Sequence, residues 1–130
     1  MKSFRRFIKA LFFRDAADKP VLEMPQTGSI CSIDNGTDGF RIVKVLVVDK
    51  ELIHLKLFQN GFRMRPQTID LGLLRMGADD EDEGYGMEHI PLFHADFNKW
   101  KPEILAFQDV QEGELTGYWQ WMEIYQHSKQ

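Results

Sequence analysis

"FRIVKVLVVDKELIHLKLF", residues 40–58, decides the fold. Residues 40–49 are β-branched and almost continuously apolar, as a central strand is. Asp49 and Lys50 turn the chain, and residues 51–58 then alternate with a period of two. That alternation predicts Ile53, Leu55 and Leu57 facing the core, with His54 and Lys56 facing water. Val45, Phe107 and Trp119 complete the expected core.

On either side of this stretch the period holds. "SICSI" (29–33) reads as a short strand and "DNGTDG" (34–39) as a turn. "QNGF" (59–62), with Asn60-Gly61, reads as the next turn, so the strands form a meander. A further strand is expected over residues 68–74, with Pro66 at its start or at an edge. Residues 90–92 read as extended, 94–100 as one or two helical turns, and 103–107 as a strand. "DVQEGELTGYWQWMEIYQ" (109–126) reads as a C-terminal helix. Leu115, Tyr118 or Trp119, Met122 and Tyr125 fall at helical spacing there. Glu112 and Glu114 suit its positive end, and Gly117 leaves room for a close neighbour.

"MKSFRRFIKALFFRD" (1–15) carries the sharpest helical period in the chain. Phe4, Phe7, Ile8, Leu11 and Phe12 share one face, and Lys2, Arg5, Arg6 and Lys9 lie opposite. Two placements follow: flat on an anionic membrane surface, through Lys2, Arg5, Arg6, Lys9, Phe4, Phe7 and Leu11, or against the protein's own acidic body. The apolar run is too short and too charged to span a bilayer or to act as a signal peptide. A linker with Pro20 and Pro25 follows. The expected organisation is a basic amphipathic helix with its linker over 1–19 and one α+β domain over 20–130.

Charge divides the same way. Residues 1–14 hold five basic and no acidic side chains, whereas the remainder holds eleven basic and twenty acidic ones, a charge of −9. Such a body disfavours nucleic acid and favours a basic protein partner. The single cysteine, Cys31, rules out an intramolecular disulfide and fits a reducing, cytoplasmic setting.

Candidate sites are few. Asp79, Asp80, Glu81, Asp82 and Glu83 form a run of five acids, which reads as a solvated loop or as a patch steering a basic partner, with Tyr85 and Phe93 as desolvated anchors. The run lacks the spacing of a calcium loop. "DNGTDG" opens like one, yet its distal glutamate position is Val45. His89 and His94 stand five apart, which does not align them on one helix face for a metal. Ser29 and Ser32 sit in a strand without a nucleophile elbow, and Gly84-Tyr85-Gly86 lacks the lysine of a phosphate loop. No cofactor and no metal is expected. An enzyme using His89 or His54 as a base is the weakest reading.

One pattern resembles a group of small bacterial proteins of unknown or immunity-type function. It consists of Gly86, His89, Pro91 and Leu92, then Phe97, Trp100 and Pro102, then Glu114, Leu115, Gly117, Tyr118 and Trp121. The Gly-led strand, the meander and Arg65-Pro66 are similar to the opening of that group, so the resemblance covers about residues 28–126. It implies a compact α+β or small-barrel protein encoded near polymorphic or contact-dependent toxins, which neutralises its toxin by stoichiometric binding. The length of the acidic run and the basic N-terminal helix lie outside the pattern. The expectation is therefore a twisted antiparallel sheet, open or curled into a small barrel, closed by a C-terminal helix, in a non-enzymatic protein that binds a basic partner such as a toxin. Attachment to a membrane surface through residues 1–14 is the alternative.

Overall fold

The computed structural model describes residues 24–36, 39–77 and 86–128. Residues 1–14, the acids Asp79 to Glu83, and Tyr85 lie outside the described residues.

Five strands form one antiparallel sheet: β1 (Ser29–Ile33), β2 (Phe40–Val48), β3 (Leu52–Phe62), β4 (Met87–Phe93) and β5 (Glu103–Phe107). Their order is β4-β3-β2-β1-β5, so the sheet is open and the fold is α+β. The meander runs from β1 to β4, and the chain then crosses through α1 (His94–Lys99) to place β5 beside β1. Pro91, which cannot donate to a ladder, sits in edge strand β4. A short 3-10 turn, Glu112–Leu115, leads into α2 (Thr116–Ser128).

The pleat of β3 sends its residues to two differently covered faces. On one face Ile53, Leu55 and Leu57 pack with Cys31, Ile33, Val43 and Val45, and α1 closes this layer with buried Phe97. Burial pushes the Cys31 thiol up to about 12, so it behaves as a small apolar side chain. The other face begins with Ile30, Ile42 and Phe58, covered by the loop that contains Ile69, Leu71 and Leu74. Arg65 straps that loop to β1 by donating to Ser32 Oγ at 2.8 Å, and its guanidinium stacks over the Phe40 ring. The rest of this face is polar and lies beneath α2.

Four expectations are corrected. His54 is fully buried and Lys56 half-buried, because the outward side of β3 is covered by the C-terminal segment rather than by water. Asn60-Gly61 is not a turn: β3 continues through it, Gly61 pairs with Arg41, and the Asn60 side chain bonds Leu73 and Arg75. Residues 68–74 form a 3-10 turn at Leu71–Leu73 instead of a strand, capped by Asp70 accepting from the Gly72 N–H. Phe107 and Trp119 are 56% and 55% exposed. Phe107 ends an edge strand, and the phase of α2 turns Tyr118 inward and Trp119 outward.

Candidate functional site

Two polar clusters lie between β2, β3 and α2. The first centres on Glu114. Lys44, fully buried on β2, donates to Glu114 Oε1 at 2.9 Å, to the Asp109 carbonyl at 2.9 Å and to Gln108 Oε1 at 3.1 Å. Lys56 donates to the other carboxylate oxygen of Glu114 at 2.9 Å. Adjacent strands place the two ammonium groups side by side, since Lys44 and Lys56 are register partners. Burial alone would raise the Glu114 carboxyl, but the Gln111 N–H, Lys44 and Lys56 hold it down at about 2. One carboxylate thereby ties the start of α2 to two strands.

The second cluster is a chain of three side chains. Asp49, at the end of β2, approaches His54 Nε2 at 3.1 Å, and His54 Nδ1 lies 2.9 Å from His89 Nε2 on β4. A carboxylate only accepts, so the His54 proton sits on Nε2. His54 Nδ1 must then accept, and His89 donates to it from Nε2. Burial lowers the basicity of His54 against the opposing pull of Asp49; burial and the neighbouring His54 lower that of His89. The two rings lie nearly parallel, 5.1 Å apart, with Tyr118 and Trp121 edge-on to His54 at 4.7 and 4.9 Å. Gly117 permits this approach: a Cβ there would stand 2.8 Å from the His89 Cβ. The chain can relay a proton between Asp49 and His89, but its middle member is sealed from solvent.

Beside this chain a groove of about 520 Å³ opens between the β3 start, the β4 end, α1 and α2. Leu92, Phe93, Trp121 and Tyr125 supply its apolar lining, and Glu51 and Asp96 its carboxylates. A recess of about 180 Å³ extends it to Asp49 and Lys50. Phe93 is the one partner-contact candidate among the described residues; it is 60% exposed and lines this groove.

Sequence reasoning missed both clusters, Lys44 and Lys56 on Glu114 in one and Asp49, His54, His89 and Trp121 in the other. The signal available was two lysines at matched positions of paired strands, each in need of a carboxylate. His94 stands apart from the histidine pair, its Nε2 meeting the Asp49 carbonyl at 2.7 Å. Among the described residues no group of three histidine, cysteine or acidic side chains is arranged to hold a metal ion, and no helix is long and apolar enough to cross a membrane.

Comparison with protein-family models, with curated proteins and with solved structures finds no match.

Proposed function

We propose that this chain is a non-enzymatic binding protein that neutralises a basic toxin by stoichiometric association, as the resemblance of residues 28–126 implies. The observation that supports binding over chemistry is the contrast between its polar and apolar groups. His54, His89, His94 and the buried Lys44 are each engaged, by one another, by the Asp49 and Glu114 carboxylates or by the backbone. Large apolar side chains, Phe93, Phe107, Trp119 and Ile124, are each more than half exposed. Of these, Phe93 shares a groove with Leu92, Trp121 and Tyr125, and a contiguous apolar patch of that kind suits protein contact. Phe93 is the anchor and the acids Asp79 to Glu83 the steering charges, so loss of charge slows association and loss of the anchor speeds dissociation.

The test begins with capture from the native host, identification of the partner by mass spectrometry, and reconstitution of the purified pair. The expected result is a 1:1 complex in which the partner's toxic activity is silenced. Phe93→Ala should weaken that complex at least about tenfold, a loss of roughly 1.4 kcal/mol. A partner that binds but keeps full activity would remove the toxin reading and leave a plain binding protein.

A further inference from the structure

We propose that residues 1–14 of this chain occupy the groove formed by Leu92, Phe93, Trp121 and Tyr125, with their basic side chains against Glu51 and Asp96. Three observations converge on this occupant. The first is position. Gly28 N–H donates to the Val45 carbonyl, so the chain enters β1 at the end of the sheet where β2 runs into the Asp49–Glu51 turn. That turn forms the rim of the groove and its recess.

The second is reach. The nine residues from 15 to 23 span up to about 30 Å when extended, enough to carry a preceding segment across the end of a small domain. The third is complementarity. Residues 1–14 bring five basic side chains and the apolar set Phe4, Phe7, Ile8, Leu11 and Phe12. The groove offers an aromatic and aliphatic lining with carboxylates at Asp49, Glu51 and Asp96. Two cations oppose these, Lys50 and the exposed Lys99, whose ammonium lies 3.6 Å from Asp96 and which a docked segment would have to outcompete. As a helix, fourteen residues would be about 21 Å long, with apolar and basic sides that match the lining and rim in kind.

Docking would cover Phe93. The proposal stands without the toxin reading. If both hold, a partner anchored at Phe93 has to displace residues 1–14, and the basic segment becomes a built-in competitor for a basic partner.

The test uses the full-length chain. Because Cys31 is buried, Ser3→Cys provides one accessible thiol for a nitroxide label, and paramagnetic broadening is read at the Trp121 indole N–H. Strong broadening is expected, relieved in the Glu51→Lys/Asp96→Lys variant. That variant should also bind vesicles of anionic phosphatidylglycerol about fivefold better than the parent, because the released basic residues are free to meet the surface. Broadening that is absent, or unchanged by charge reversal, overturns the proposal. So does parent protein that binds vesicles as strongly as the variant, which would assign residues 1–14 to membrane. Broadening that passes between molecules in a mixture of spin-labelled and isotope-labelled protein would make a second copy the occupant and equally overturn it. None of these outcomes depends on a toxin partner being found.

Discussion

The two faces of this sheet are closed by helices in opposite ways. α1 meets an apolar layer with Phe97, and nothing there depends on charge. α2 meets Lys44, Lys56, His54 and His89, and its approach depends on Glu114, Asp49 and two aromatic rings. The apolar face tolerates imprecise matching, since dispersion and burial are non-directional. The polar face tolerates none, since each group left without its partner keeps its desolvation penalty. Damage to the first face should leave a void, and damage to the second an uncompensated charge.

The largest expected effect is on the polar face. Glu114→Ala strands a fully buried ammonium and a half-buried one, and should lower stability by about 3–5 kcal/mol in urea unfolding. Replacing Lys44 and Lys56 by Met and Glu114 by Leu together should recover most of that loss, because no charge is then left buried. If the single variant lost less than about 1 kcal/mol, α2 would not be held through Glu114 and the contrast between faces would fail.

Leu55→Ala strikes the apolar face. A fully buried leucine at its centre should cost about 2–5 kcal/mol, set by the residual cavity. The loss should be the same at pH 7 and pH 5.5, which separates it from any change on the α2 face.

Acid should act on the polar face alone, in two stages. His54 and His89 are held below the ordinary 6.5 in the fold, so below that pH the unfolded chain binds protons that the folded chain resists. Stability is therefore full above about 6.5 and falls as the pH drops toward the lower folded values. Glu114 adds a second loss between its ordinary 4.5 and about 2, where the folded carboxylate is finally protonated. Thermal melts of His54→Gln with His89→Gln should lack the first stage and retain the second. A first stage that survives in the double variant would assign it elsewhere.

Gly117→Ala tests how closely α2 sits. The alanine favours helix by up to about 1 kcal/mol, but its Cβ meets His89 at 2.8 Å. Net destabilisation of about 1–3 kcal/mol is expected, with a shift of the His89 ring resonances. A stabilised protein would show that the helix can move away from β4 at no loss.

These contrasts also explain what could be read from sequence. The central strands were legible because β-branched runs and a period of two follow directly from strand geometry. The existence of a C-terminal helix was legible because of its aromatic spacing, although the reading over 109–126 takes in the 3-10 turn Glu112–Leu115 that precedes it. The cover of the polar face was not, since His54 and Lys56 alternate with Ile53, Leu55 and Leu57 in the same way whether they meet water or Glu114 and Tyr118. Asn60-Gly61 carries a strong local turn signal, but pairing with Phe40 and Arg41 overrides it. For the candidate site, Phe93 could be placed at the surface from sequence, whereas the Asp49–His54–His89 chain joins β2, β3 and β4 and needs the sheet register to be seen.

The smallest expected effect comes from outside both faces. Trp119 lies on α2 but points away from the sheet and is 55% exposed, touching Tyr118 edge-on at 4.9 Å. Its neighbour Trp121 stacks on Tyr125 at 4.8 Å and reaches His54. Trp119→Ala should therefore change stability by no more than about 0.5–1 kcal/mol, the range of a surface substitution with one aromatic contact. Equilibrium unfolding of the variant at pH 7 checks this. A loss of several kcal/mol would mean that the outer side of α2 is packed, and that this helix is held from both sides rather than by its polar face. If stability is unchanged but binding to a protein captured from the host weakens, Trp119 is a contact residue, and its exposure is explained by contact with another protein.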